Sequence, residues 1–418
     1  MNNKLTHCEG FGKRRGRRIL PSVIAVTALS LPFGAADAQA GPSAVGTGAV
    51  FGMTNGILGN SVTAFSRNAG GRLQPAGSFS TGGTGSGVLE NNATSLILGE
   101  GNQQSPTDLG GGDRFLFAAN AGSNSISVFE RSGARLRRVE VEQASQGNIN
   151  HPISLTLHSN VLYVLNGATT NCTAGNPTIS GFTVSAAGRL TPIAGSTQPV
   201  PGGLLSGCAQ VSFDQTGKRL VVSERQTDNL ATYRVDGAGR AGPPRSNATT
   251  EIGPFGLNFT NDNVLLSAVN NLALPLQGGA ASYAINADDS LTPLSATAER
   301  NGRSDTCWIE ITDDGRYVYT ASFQTGDISS YIVEPDGRLE LLNPVAARVN
   351  APLPGAFDLA LVDSDFLYGL DTNLGTVVAF RIDSAGGLTE IDRENLGSLP
   401  LGLGNLGSLP GAFGLAAT

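Results

Sequence analysis

Hydrophobic and polar positions alternate along most of the chain in a pattern that recurs. Each copy has a β-rich run ending in a polar residue, then an alternating strand, then a short strand that opens on leucine. A period of two between Gly and Asp turns predicts β-strands. The β-rich runs lie at 50–55, 114–120, 161–166, 219–224, 264–270, 316–322 and 365–371.

A fourth strand precedes most of these runs, as at 152–157, 209–213, 255–259, 308–311 and 357–361. Four antiparallel strands that recur about every fifty residues are typical of propeller blades. The pattern therefore predicts an all-β, seven-bladed β-propeller with four antiparallel strands per blade. Residues 411–416 repeat the pattern of 355–360, so we expect this C-terminal strand to complete the first blade and close the ring.

The first forty residues have the features of a signal peptide. A basic cluster at 13–18 precedes a mostly apolar stretch at 19–34, and the small residues Ala38 and Ala40 follow. The apolar stretch is too short to span a bilayer. We expect a signal peptide at 1–40 and one propeller domain at 41–418, in a periplasmic or secreted protein without membrane insertion. The sequence leaves both the general secretory and the twin-arginine route open.

Composition supports a turn-rich, mildly acidic protein. The chain has 56 Gly, 21 Pro and only 15% charged residues, which argues against long helices. Six of the 27 basic residues lie in the predicted signal peptide, so the remaining chain is more acidic than the formal net charge of -7. This balance argues against a nucleic-acid or anionic-membrane partner. The few His and Cys residues fit no zinc spacing, so we expect no metal and no cofactor. We also expect the protein to be a monomer.

Loop length separates the two faces of the predicted disc. Tight Asp and Gly turns join the first strand of a blade to the second and the third to the fourth, which makes a plain face. The other connections differ in every blade, and we call their side the variable face. Variable loops on a rigid scaffold concentrate binding residues, so we expect the site at the channel mouth there. Cys172 and Cys208 fall on this face in neighbouring blades, which predicts a disulfide.

Three segments carry a resemblance to a known family. The patterns at 115–129, 148–152 and 314–322 resemble those of the seven-bladed lactonase-like propellers. This family includes bacterial 6-phosphogluconolactonases and fungal carboxymuconate lactonizing enzymes, and the resemblance extends over residues 41–418. Cys208 and Phe255 stand where such enzymes often carry His.

The resemblance implies a set of His, Arg and acidic residues around the channel mouth. His151 occupies the family's His-Pro position, and Glu224 ends a β-rich strand at the same rim. In this interpretation His151 and Glu224 exchange the proton, while Arg225 or Arg303 stabilises the anionic substrate or the oxyanion. The expected substrate-binding residues are Asn120, Asn166, Asn270 and Asp305.

Each of these residues also has a purely structural interpretation. His151 could cap the strand that starts at Pro152, and Glu224 could form an ion pair with Arg225. Arg303 could pair with Asp305 on the surface. The row of asparagines could satisfy backbone groups where strands end.

Two functions from different classes follow. The first is an exported lactonase or lactonizing isomerase acting on a small anionic lactone or its open acid. The second is a non-enzymatic propeller that binds a small molecule, a polysaccharide or a protein through the same face. Convergence of His151, Glu224, Arg225 and Arg303 on one pocket would favour the enzyme.

Overall fold

The computed structural model describes residues 48–99, 114–145, 151–271, 274–397 and 412–418. The predicted signal peptide at 1–40 lies outside the described residues, and so does most of the Gly- and Leu-rich stretch between blade 7 and the last strand. Within the described ranges the protein is all-β. The described residues contain a single turn of 3-10 helix, Gly203–Leu205, and no helix long and apolar enough to cross a membrane.

Seven sheets make the seven blades. Blade 1 contains β1 (Gly48–Thr54), β2 (Ser61–Arg67) and β3 (Leu73–Ser80), and blade 2 contains β4 (Leu96–Leu98), β5 (Phe115–Asn120), β6 (Ser125–Ser132) and β7 (Arg135–Gln143). Blade 3 contains β8 (Pro152–His158), β9 (Val161–Asn166), β10 (Thr178–Val184), β11 (Leu190–Pro192) and β12 (Gln198–Pro199). Blade 4 contains β13 (Cys208–Phe213), β14 (Arg219–Glu224), β15 (Asn229–Arg234) and β16 (Arg245–Ala248). Blade 5 contains β17 (Pro254–Phe259), β18 (Leu265–Val269), β19 (Gly279–Ile285), β20 (Leu291–Pro293) and β21 (Glu299–Arg300). Blade 6 contains β22 (Thr306–Ile311), β23 (Tyr317–Ser322), β24 (Asp327–Val333) and β25 (Leu339–Arg348). Blade 7 contains β26 (Ala356–Val362), β27 (Phe366–Asp371), β28 (Thr376–Ile382) and β29 (Leu388–Asn395). The final strand, β30 (Ala412–Ala417), returns to blade 1.

The predicted closure of the ring is confirmed. The first sheet has the strand order β3-β2-β1-β30, so the C-terminal strand is the innermost strand of blade 1. β1 pairs with β30 from Val50 opposite Ala417 to Thr54 opposite Ala412. The guanidinium of Arg67 donates to the carbonyl oxygen of Thr418 at 2.8 Å. The two ends of the described chain are therefore joined within one sheet.

Blade 2 contains an inner strand that the sequence pattern did not reveal. β4 has only three residues and pairs with β5 from Leu96 opposite Ala118 to Leu98 opposite Leu116. Three residues are too few for an alternating pattern to stand out. The strand follows a Gly-rich connection that crosses the variable face.

The blades pack through apolar side chains of their inner and second strands, which are buried almost throughout. Three buried tyrosines add a hydrogen bond between neighbours. Tyr163, Tyr319 and Tyr368 each donate to the carbonyl oxygen of a glycine in the next blade's plain-face turn, at 2.8 to 3.0 Å. The pair from Tyr368 to Gly71 joins blade 7 to blade 1. Gly71 has φ +81°, in the left-handed region that glycine occupies without strain.

Candidate functional site

A short segment covers the mouth of the central channel on the variable face. We call residues 88–95, in the connection between β3 and β4, the crossing segment. The amide of Asn91 donates to the Thr170 carbonyl in blade 3 at 3.1 Å, and that of Ala93 to the Ala209 carbonyl in blade 4 at 3.3 Å. From blade 6, Trp308 Nε1 donates to the Asn92 carbonyl at 3.0 Å. The segment is thus tied to three blades around the channel.

Aromatic side chains lie beside the crossing segment. The ring centroid of Trp308 is 4.1 Å from that of Phe357 and 5.7 Å from that of Phe255. Phe413 packs edge-on against Phe357 at 4.8 Å. These rings come from the starts of four inner strands and are all buried. With the crossing segment they separate the channel interior from the variable face.

The channel interior is a cavity of about 80 Å³, lined by the inner strands of all seven blades. That volume holds a few water molecules and is far smaller than a typical ligand site. Glu310 and Asp358 lie in its wall, and Asn258 Nδ2 donates to Glu310 Oε2 at 3.0 Å. Burial raises the pKa of Asp358 to about 7 and that of Glu310 well above its usual value. Burial therefore shifts both carboxyl groups toward the neutral form.

His151 contacts a carboxylate that comes from the crossing segment. Its Nε2 lies 2.9 Å from Oε2 and 3.1 Å from Oε1 of Glu90. Only 2% of Glu90 is exposed, and its carboxylate also accepts a hydrogen bond from Ser86 Oγ. A buried carboxylate fixes the orientation of an imidazole and stabilises its protonated form. Because the contact uses Nε2, Nδ1 is the nitrogen that could exchange a proton with a ligand.

Arg225 is held by the neighbouring residue of the same segment. Its Nη1 donates to Asn91 Oδ1 at 2.9 Å, and its guanidinium lies 6.0 Å from the centroid of the Phe255 ring. Glu90 and Asn91 are adjacent in the chain, so the crossing segment brings two of the predicted residues, His151 and Arg225, to one place. The other two residues of the expected set, Glu224 and Arg303, contact different partners, so the four residues converge only in part.

Asp305 and Asn270 form a small buried cluster with Cys307. The Cys307 thiol donates to Asp305 Oδ1 at 3.2 Å, while Asn270 Nδ2 contacts both Asp305 Oδ1 and, at 2.8 Å, Cys307 Sγ. Burial raises the pKa of Asp305, and the nearby charge of Arg225 partly opposes the rise. Burial also raises the pKa of the Cys307 thiol, so this cysteine favours its neutral form. The cluster therefore lies within electrostatic range of Arg225.

Glu224 and Arg303 have other partners. The carboxylate of Glu224 is buried and accepts hydrogen bonds from the Gly202 amide at 2.6 Å and from Asn229. Burial raises its pKa. Arg303 Nε donates to Asp327 Oδ1 at 3.0 Å, in an ion pair within blade 6 rather than with Asp305. The structure thus gives both residues contacts that stabilise loops, and their predicted roles stay predictions.

Asn120 and Asn166 are fully buried where strands end. Asn120 Nδ2 donates to Ser127 Oγ at 2.8 Å, and Asn166 Nδ2 to the Ala144 carbonyl at 3.1 Å. These contacts match the structural interpretation of the asparagine row. Contact with a substrate by either residue stays a prediction.

The predicted disulfide between Cys172 and Cys208 is confirmed, with Cα atoms 5.3 Å apart. The amide of Gly207 and the hydroxyl of Ser206 both donate to the Cys172 carbonyl. The long loop of blade 3 is therefore fixed to the connection that enters blade 4. The same loop supplies Thr170, whose carbonyl accepts a hydrogen bond from the crossing segment, so the disulfide helps to fix this contact.

Sequence reasoning missed Glu90 and Asn91, because the crossing segment has no counterpart in the other blades. One signal was available: Glu90 is the only charged residue between positions 81 and 95, in a connection rich in Gly, Ser and Thr. A lone acid in such a setting points to a specific partner, here His151.

Comparison with known proteins supports the resemblance. Residues 246–356 match the family described as "Lactonase, 7-bladed beta-propeller". A 6-phosphogluconolactonase from Erwinia tasmaniensis is 26% identical over 140 residues, 32% of this chain and 41% of that protein. One from Sodalis glossinidius is 27% identical over 216 residues, 49% of this chain and 62% of that protein. The matches span less than two thirds of either relative.

Solved structures share the fold. A protein from Lactobacillus plantarum superposes with a TM-score of 0.62 at 16% identity, covering 88% of this chain and 98% of that one. A putative 6-phosphogluconolactonase from Bacteroides fragilis superposes with a TM-score of 0.57 at 16% identity, covering 85% of this chain and 99% of that one. A periplasmic gluconolactonase from Pseudomonas aeruginosa superposes with a TM-score of 0.51 at 19% identity, covering 67% of this chain and 82% of that one. The predicted resemblance to the lactonase-like propellers is confirmed.

Proposed function

We propose that this protein hydrolyses a small lactone at the variable face, with His151 as the general base and acid and Glu90 as the carboxylate that orients it. The observation that carries the proposal is the contact of 2.9 Å between His151 Nε2 and Glu90 Oε2. The position of Arg225 on the adjacent Asn91 supports it. The names of the two curated relatives, both 6-phosphogluconolactonases, support the choice of a lactone.

In the proposed reaction His151 Nδ1 accepts a proton from water as the oxygen attacks the lactone carbonyl. Glu90 stabilises the imidazolium that forms, and Arg225 stabilises the negative charge on the carbonyl oxygen. Collapse of the tetrahedral intermediate breaks the ring C–O bond, and the leaving alkoxide takes the proton from His151. The reverse sequence closes a lactone from its open acid, as a lactonizing enzyme would.

Arg225 is also the residue we propose to bind an anionic substrate. Its hydrogen-bond partner Asn91 is neutral, whereas Arg303 forms an ion pair with Asp327. A carboxylate or phosphate on the substrate would complete the charge balance at Arg225. Turnover of 6-phosphogluconolactone would therefore depend on Arg225 more strongly than turnover of uncharged gluconolactone.

We further propose that the protein is exported. A disulfide such as Cys172 to Cys208 persists in an oxidising compartment and is uncommon in the cytosol. The likeness in fold to a periplasmic gluconolactonase agrees with export.

A pH-indicator assay with gluconolactone and 6-phosphogluconolactone tests the proposal. We expect His151→Ala to lower kcat by about 10² to 10⁴, the usual contribution of a general base. The matched control is His158→Ala, which removes a histidine next to the plain-face turn of blade 3. Equal rates in the two variants would contradict the proposed role of His151, once circular dichroism shows that both are folded.

A second function, binding without catalysis, is favoured by one observation. The crossing segment and Trp308 close the channel mouth, so a ligand would meet the outer surface of the variable face rather than the channel cavity. Absence of turnover by the wild-type protein, together with calorimetric binding of either lactone or of its acid, would support this function over hydrolysis.

A further inference from the structure

Exposed aliphatic side chains are concentrated on one face of the disc. Of the twelve large hydrophobic side chains that are exposed in the described part of the chain, ten lie in connections of the variable face. We call these ten the apolar rim: Ile57, Leu58, Val88, Leu204, Leu205, Ile252, Leu274, Leu276, Leu353 and Leu374. They belong to connections of blades spread around the ring. An exposed apolar surface of this kind indicates an interaction site.

The described connections of the variable face carry no fully exposed charged side chain, whereas Arg348, at the end of β25 next to one of them, is exposed. In its described connections every charged side chain is buried or only partly exposed, and Glu90, Arg225 and Arg303 have the partners given above. The plain face is different, since its turns expose charged residues in most blades, including Lys218, Asp262, Asp313, Asp336 and Asp383. Among the described residues, exposed charge is therefore concentrated in the turns of the plain face and exposed aliphatic side chains in the connections of the variable face.

The composition of the rim indicates its partner. Protein interfaces draw most of their affinity from Trp, Tyr and Arg, with leucine under-represented, and the rim consists of Leu, Ile and Val alone. The described connections that carry the rim have no fully exposed Lys or Arg, so the rim itself gains little from anionic headgroups. Aliphatic side chains without charge around them fit the acyl boundary of a lipid layer, where binding scales with buried apolar area.

We propose that the variable face docks on a lipid surface through the apolar rim, independently of lipid charge. The rigid blades hold the rim side chains on one side of the disc, so several of them can enter the lipid layer together without reordering the fold. Docking would place the crossing segment and His151 next to the lipid. This inference goes beyond lactone hydrolysis and does not depend on it.

Flotation with phosphatidylcholine vesicles tests the proposal. We expect the wild-type protein to float with the vesicles, and to do so equally when a third of the lipid is phosphatidylserine and when the salt concentration is raised. The triple variant Leu58→Ser, Leu353→Ser, Leu374→Ser should bind the vesicles at least about tenfold more weakly than the wild type, because it removes three aliphatic side chains from the rim.

The matched control uses the two exposed aliphatic residues outside the rim, Val141 and Leu342, which lie on outer strands. Val141→Ser, Leu342→Ser should float like the wild type. Failure of the wild-type protein to float, binding that is lost at high salt, or equal loss in both variants would each overturn the proposal. A dimer in solution that the triple variant dissociates, without vesicle binding, would assign the rim to a second copy instead.

Discussion

His151 and Arg225 owe their positions to two consecutive residues of one loop, Glu90 and Asn91. The Glu90 carboxylate orients the imidazole of His151, and the Asn91 amide orients the guanidinium of Arg225. Both functional groups are only partly exposed. Glu224, the acid that the sequence favoured, turns its carboxylate to the Gly202 amide instead. The backbone pairing sets the position of Glu224: it lies opposite Cys208, next to a register shift between Cys208 and Val211, and is buried there.

The channel carboxyl Asp358 predicts a pH dependence of stability. Its pKa is about 7 in the folded protein and near 3.8 in the unfolded chain, so the folded state holds the proton more tightly. Stability from this group is complete below the unfolded pKa and is lost as pH rises toward 7. We expect the free energy of unfolding to fall by at most about 4 kcal/mol over that interval.

Asp358→Asn removes this titration, so the variant should lose less stability than the wild type between pH 4 and pH 7. Urea titrations at several pH values measure the difference. Parallel pH profiles for the two proteins would contradict the buried, neutral state of Asp358. Glu310 titrates in the same cavity, and the charge of Asp358 contributes to its raised pKa, so Asp358→Asn weakens the pH dependence from both groups in the same direction.

The sheets and their turns were predictable at the scale of the element, whereas the crossing segment was not. Strand alternation and Gly or Asp turns are local signals that recur in each blade, which is why β5, β9 and β23 could be placed from the sequence. The crossing segment depends on contacts far apart in the chain, such as the one between Trp308 and Asn92. No local pattern encodes such a contact.

The tyrosine bonds between blades predict a loss of stability when one is removed. Tyr368 is buried, and its hydroxyl donates to the Gly71 carbonyl at 2.9 Å across the junction of blades 7 and 1. Tyr368→Phe leaves that carbonyl without this donor, at a cost of about 1 to 3 kcal/mol. Urea unfolding should show the loss as a lower midpoint with an unchanged slope. An unchanged midpoint would show that the bond contributes nothing to ring closure.

The whole molecule is a closed ring with two chemically different faces. Closure through β30 pairs the inner edge of β1, which blade 1 would otherwise expose. Charged turns cover the plain face, while the apolar rim and the crossing segment cover the variable face. Seven blades and their faces follow from the repeat, but the cover over the channel comes from a single connection that breaks it. The proposed chemistry and the proposed lipid contact both belong to that face.

The most direct test of the account is the rate of lactone hydrolysis by Glu90→Gln compared with wild type. Gln preserves the size of the side chain but cannot stabilise the His151 imidazolium, so we expect kcat to fall by about 10² or more with KM little changed. Glu142→Gln, on an outer strand, is the control and should retain the wild-type rate. A wild-type kcat in Glu90→Gln would contradict the Glu90–His151 pair as the catalytic centre.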